Sequence, residues 1–237
     1  PCSLMLRFYS ATRVPPASGC RGRRPARRIG DMETQDARPI TERRRRRMVD
    51  VLARRQPDLT VVIENVHDPH NISAVLRSCD AVGLLTVHLV YTIEEWPELS
   101  RVSSASAVKW LDIVQHESIE ACYQALRAQG FTIYATHLSA ASRDLYDLDL
   151  TGPVALVFGN EHRGVSDEAV ANADGSVVIP MMGMVQSLNI SVACAVSLYE
   201  ALRQRRAVGA YDRPKLSAEE RQERLVRWLQ RERRMLE

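Results

Sequence analysis

The chain has 237 residues, 45% of them hydrophobic, enough for one substantial domain with extensions or two small ones. No run approaches the ~18 apolar residues of a membrane span. Five cysteines with no CxxC pair argue against a disulfide framework and point to a reducing, cytoplasmic setting.

The net charge of +3 conceals a division: residues 56–202 carry 6 basic and 18 acidic groups, while 1–30, 31–55 and 203–237 are each net basic. Basic arms around an acidic middle favour a polyanionic partner that the arms hold. Residues 1–30 are rich in Arg, Pro and Ser without apolar periodicity, a composition of disorder or of a leader. Met32 is a credible start, so 1–31 is set aside as a disordered or non-native leader and 32–55 is read as a basic N-terminal helix. Within it, Thr41 caps a helix over 41–55 whose five consecutive arginines, Arg43, Arg44, Arg45, Arg46 and Arg47, circle the axis. Some of them must face solvent or phosphate, which makes binding salt-dependent.

A β-branched strand is expected over 59–63. In the following HDPHN, Pro69 keeps Asp68 extended and Asn71 is the expected N-cap. His67 and His70 have no further ligands at zinc spacing, so no metal site is expected. The helix over 72–82 buries Ile72, Val75, Leu76, Cys79 and Val82, and Gly83 ends it. Arg77 lies off that stripe; spacing alone allows a surface salt bridge with Asp80. A second strand spans 86–90, and the serine-rich stretch 92–107 reads as a mobile loop. Lys109 is one of the few basic residues in the acidic middle. A strand over 111–114, a helix over 119–128 and a strand over 131–135 follow, with Thr136, His137 and Leu138 just past the end of the last.

The most apolar strand, VALVF at 154–158, is expected at the centre of a parallel sheet and runs into Gly159, Asn160 and Glu161. Ser166 caps a short helix with Asp167 and Glu168 in its first turn. A strand over 176–179 leads into PMMGMVQ, an apolar irregular loop that either tucks under the core or receives something flat and organic. Ser187, Leu188 and Asn189 open a helix with apolar residues at Leu188, Val192, Ala195, Leu198, Tyr199 and Leu202. Ser217 and Glu220 form a capping box for a last helix over 217–236. The alternation of strands and helices predicts an α/β fold, a parallel sheet covered by helices on both faces. Its strand ends at Thr136 to Leu138, at Gly159 to Glu161 and at Pro180 to Leu188 converge on a ligand site. No GxGxxG or GxxxxGK[ST] is present, which argues against dinucleotide and nucleoside-triphosphate sites.

Three stretches, HDPHNISAVLRSCDAVG (67–83), VFGNEHRGVS (157–166) and VVIPMMGMVQSLNISVACAVSLYEALRQR (177–205), resemble the motifs of the SPOUT superfamily of RNA 2′-O-methyltransferases, TrmH type. LARRQPDLTV (52–61) further resembles the enzymes that methylate guanosine 18 in the tRNA D-loop. The resemblance implies a C-terminal deep trefoil knot, S-adenosyl-L-methionine as cofactor, tRNA as partner and a homodimer with the active site at its interface. It implies a methyltransferase domain over 56–202 and a basic C-terminal helical extension over 203–237. Thr136, Gly159, Ile179 and Leu188 match cofactor-contacting positions; with the strand-end residues, the expected cofactor set is Thr136, His137, Leu138, Gly159, Ile179, Met181, Ser187, Leu188 and Asn189. Asn71, Arg77, Glu161, Ser187 and Asn189 match active-site positions, with Arg77 the activator of the 2′-hydroxyl. RNA contacts are expected from Arg43 to Arg47, Arg54, Arg55, Lys109, Arg203, Arg205 and Arg206. Ser106 and Ala107 depart from the glycine and small residue that relatives carry before the Lys-Trp pair. Ribosomal RNA is the alternative substrate, and a non-catalytic RNA-binding protein the alternative class.

Overall fold

A computed structural model describes residues 40–97 and 105–234. The leader, the first part of the 32–55 segment and residues 98–104 of the serine-rich stretch lie outside the described residues. The elements are α1 (Glu42–Leu52), β1 (Leu59–Glu64), α2 (Pro69–Val82), β2 (Thr86–Val90), α3 (Ala105–Val108), β3 (Asp112–His116), α4 (Ile119–Arg127), β4 (Thr132–Thr136), β5 (Arg143–Asp144), β6 (Val154–Phe158), α5 (Asp167–Asn172), β7 (Gly175–Val178), α6 (Ile190–Ala207) and α7 (Ala218–Arg234).

The strands form one sheet in the order β3-β2-β1-β6-β4-β7-β5, and every pairing is parallel. Apolar runs place β1 and β6 at its middle, where all their residues are buried. One apolar core lies between the sheet and α2 with α6; a second, around Val62, Cys122, Ile133 and Val157, lies under α4 and α5. Both faces are therefore covered, as the alternating pattern predicts. Met48 and Leu52 of α1 pack with Leu225 and Trp228 of α7 in a third cluster. Among the described residues no helix is long and apolar enough to cross a membrane.

Three local expectations change. Asp68, not Asn71, caps α2: its carboxylate accepts from the His70 N–H at 2.8 Å, and Pro69 takes the first helical position, where its missing N–H costs nothing. Asn71 is thereby freed for tertiary contacts. On α6 the buried stripe is Ile190, Cys194, Leu198, Ala201 and Arg205, whereas Leu188, Val192 and Tyr199 are 37%, 47% and 53% exposed. Small and apolar residues surround this helix, so spacing alone does not select its inner face. The polar stretch after β2 ends in α3, and the two-residue strand β5, too short for a periodic signal, closes one edge of the sheet.

Candidate functional site

The carboxyl ends of the neighbouring strands β6, β4 and β7 open into one cleft of about 580 Å³. Thr136, His137, Leu138, Gly159, Ile179, Met181, Ser187, Leu188 and Asn189 all line it. Its floor is made by the turn after β6. Asn160 and Gly164 exchange backbone hydrogen bonds at 2.9 and 2.8 Å, and Gly164 holds φ at +70°. This draws the chain so close to Gly159 that a Cβ there would collide with the Gly164 carbonyl. The Asn160 amide donates to the Asn65 carbonyl at 2.7 Å, and its oxygen accepts from the His162 and Arg163 N–H groups. Asn65, at φ +50°, accepts in turn from the Thr92, Ile93 and Glu94 N–H groups. Sequence spacing gives neither asparagine a role; an Asn at a strand end, able to replace a missing backbone partner, is the signal that marks them.

Glu161 is the hub of the polar wall. One carboxylate oxygen accepts from the Asn71 amide at 2.8 Å and the Asp68 N–H at 3.2 Å; the other accepts from the His67 N–H at 3.1 Å. Burial opposes its ionisation, but the Asn71 bond and the backbone N–H groups together outweigh burial and hold the carboxyl below its usual range. The Asn71 oxygen accepts from the Asn189 amide at 3.1 Å, and the Asn189 oxygen caps α6 by accepting from the Ser191 N–H at 2.9 Å. Glu161, Asn71 and Asn189 thus tie three distant chain segments into one run. Ser187 lines the same cleft.

Arg77 stands apart from this run. Six residues beyond Asn71 on α2, it lies about 9 Å further along the axis, with an exposed side chain. The salt bridge with Asp80 does not form: Asp80 pairs with Arg55 at 2.6 Å. Arg77 has no ion pair among the described residues, so its guanidinium faces solvent with its donors open.

The apolar loop is not tucked under the core. Met182 and Met184 are 96% and 99% exposed, continuous in sequence with exposed Val185 and Leu188. With Val192 and Tyr199 on α6 they put six large apolar side chains in water.

The expected RNA contacts divide. Arg43 to Arg47, Arg54, Arg203 and Arg206 are exposed. Arg47, Arg54 and Arg206 line one groove of about 920 Å³ beside Tyr211. Arg55 and Arg205 are corrections: each has no exposed surface. Arg55 donates to the Leu84 carbonyl at 2.6 Å and the Trp110 carbonyl at 3.1 Å, and lies 5.2 Å over the Trp228 ring. Arg205 pairs with Asp58 at 2.6 Å and donates to the Leu150 carbonyl at 2.9 Å and to the Gly152 carbonyl. Both serve the core, because a long stem with a forked donor set is what knits several carbonyls together. Lys109 is largely committed, pairing with Glu232 at 2.8 Å over the Trp110 ring.

Residues 58–199 match the SpoU rRNA methylase family. The chain is 52% identical over 194 residues to the tRNA (guanosine(18)-2′-O)-methyltransferase of Thermus thermophilus, covering 82% of this chain and 100% of that one. Its fold is similar to the Aquifex aeolicus TrmH/SpoU tRNA modifying enzyme, with a TM-score of 0.76 and 42% identity over 81% of this chain and 97% of the other. It is also similar to the SpoU methyltransferase AviRb of Streptomyces viridochromogenes, solved with AdoMet, with a TM-score of 0.58 and 29% identity over 67% of this chain and 62% of that one. The matched span contains the strand ends, the Glu161–Asn71–Asn189 run and Arg77, and on these grounds the chain belongs to the SpoU methylase family, TrmH type.

Proposed function

We propose that this protein methylates the ribose 2′-OH of guanosine 18 in the tRNA D-loop with S-adenosylmethionine as donor. The observation that carries the reading is the hydrogen-bonded run of Glu161, Asn71 and Asn189, whose two ends, Glu161 and Asn189, line a cleft at three parallel strand ends. The named activity of the Thermus relative, matched over its whole length, supports the choice of RNA.

The cleft suits such a donor. Its volume falls within the ~300–1,000 Å³ of small-molecule sites, and Leu138, Ile179, Met181 and Leu188 offer apolar contact for an adenine. Thr136, Gly159, Ser187 and Asn189 add polar side chains and an uncovered backbone beside them. S-adenosylmethionine, as the AviRb structure holds it, supplies a methyl group activated by a sulfonium centre. The protein's task is then alignment of the ribose oxygen with that methyl, together with exclusion of water. Asn71 is held by Glu161 on one side and Asn189 on the other, so its orientation is set before substrate arrives. A guanidinium keeps its proton at any working pH. Arg77 therefore acts on the 2′-oxygen through charge and position, with its open donors directed at the ribose and its neighbouring phosphate.

The catalytic domain spans 56–202, and 32–55 and 203–237 form basic extensions. The packing of α1 on α7 supports their acting as one RNA-holding arm, with Arg43, Arg45, Arg46, Arg47, Arg54 and Arg206 meeting phosphates. The insertion of β7 between β4 and β5, and the packing of α6 back on α2, support a C-terminal trefoil threading. The exposed apolar side chains of the 182–188 loop and α6 form the face of a homodimer, since monomers rarely leave such a patch in water. The reaction belongs to the cytoplasm, where its tRNA substrate is.

Arg77→Ala tests the site. Methyl transfer to unmodified tRNA should fall by on the order of 10²-fold or more, while equilibrium dialysis shows S-adenosylmethionine bound as in the parent. Turnover close to the parent's would remove Arg77 from the mechanism.

A further inference from the structure

Away from this cleft, under α4, lies a second group of chemistry-bearing side chains. His88 on β2 and His116 on β3 lie on the same face of the sheet: Val90, two residues beyond His88, pairs with His116 in the register. Their rings stack with centroids 5.1 Å apart, and Nδ1 of His88 lies 2.8 Å from Nε2 of His116. Cys122 of α4 packs onto the same place, fully buried. One donor atom from each of the three lies within 4.8 Å of the other two.

We propose that His88, His116 and Cys122 bind a transition-metal ion of zinc type. Two imidazoles and a thiolate are three of the four ligands of a tetrahedral site, and their softness selects zinc over calcium or magnesium. Zn–N and Zn–S bonds of about 2.0–2.3 Å set ligand atoms roughly 3.4–3.6 Å apart. The imidazole pair needs to open by well under ~1 Å, and the thiol to close by no more than about 1.2 Å, which χ rotations supply. The fourth position is open to water, because β3 is the edge strand and His116 is only half-buried. On binding, the Cys122 thiol proton leaves to solvent and the Cys122–metal bond replaces it. The ion would clamp the edge strand and α4 to β2. Sequence spacing hides the group, since its members are 28 and 6 residues apart with no paired CxxC or HxxxH to mark them.

The test is titration of the chelator-treated full chain with Co²⁺. A thiolate-to-cobalt charge-transfer band should saturate at one equivalent and disappear when Zn²⁺ is added. Cys122→Ser should abolish the band. His116→Gln, a mild change on a half-exposed edge position, should weaken Co²⁺ binding more than tenfold while circular dichroism stays that of the parent. Zn²⁺ should raise the melting temperature of the parent and not of His116→Gln. Absence of the band, a band that survives Cys122→Ser and so belongs to other thiols, or unchanged affinity in His116→Gln would each overturn the site.

Discussion

Asn71 shows how one residue's role is decided by its neighbours. Its type suits an N-cap, and Pro69 just before it removes that role by starting the helix sooner. What remains is an amide with both ends used, by Glu161 and Asn189. The partners of a side chain 90 and 118 residues away cannot be read from local spacing; the resemblance pointed to the residues, and only the fold joins them. Glu161 supplies the charge in this run, and hydrogen bonds to a charged group contribute about 1.5–3 kcal/mol. Glu161→Gln should therefore lower stability by about 1–2 kcal/mol at neutral pH. Because the folded carboxyl titrates below its usual range, its contribution is complete above that range and is lost as the pH falls through the depressed value. Urea unfolding of both proteins from neutral to acid pH should show the difference shrinking with acid. A gap independent of pH would mean that the charge of Glu161 does not matter.

At the scale of elements, the strands were legible because apolar β-branched runs have few other uses. VALVF is central, and the termini of α4, α5 and α7 are capped by Ser118, Ser166 and Ser217. Helix α6 was legible only as a helix. Its sequence offers two apolar faces, one for the core and one outward, and the choice rests on what β7 and α2 bring to it. The same helix separates two arginines that composition treats alike. Arg205 is wholly buried in a net of carbonyls and Asp58, while its neighbour Arg206 is exposed in the groove with Arg47 and Arg54. Removing one partner of a buried ion pair costs about 3–5 kcal/mol. Arg205→Ala should lose stability of that order in urea unfolding. Arg206→Ala should keep the parent's stability, bind tRNA more weakly and lower the slope of log affinity against log salt by about one. A stable Arg205→Ala, or an unchanged slope in Arg206→Ala, would contradict this division of labour.

Over the whole molecule, the charge pattern pointed to an RNA-holding periphery around an acidic middle, and the structure places α1 and α7 against each other there. What sequence could not show is which arginines the periphery spends on its own packing, since burial is a property of the assembled fold. Nor could it show the outward apolar face on α6 and the loop before it. If that face joins two copies, Tyr199→Glu should shift sedimentation from dimer to monomer and remove activity with it. A parent protein that sediments as a monomer at micromolar concentration would leave the face unexplained. The reaction itself is tested most directly by incubating the protein with methyl-labelled S-adenosylmethionine and two unmodified tRNA transcripts, one with guanosine and one with 2′-deoxyguanosine at position 18. Transfer to the first and none to the second is the predicted result. Equal labelling of both, or labelling of neither with the donor still bound, would contradict it.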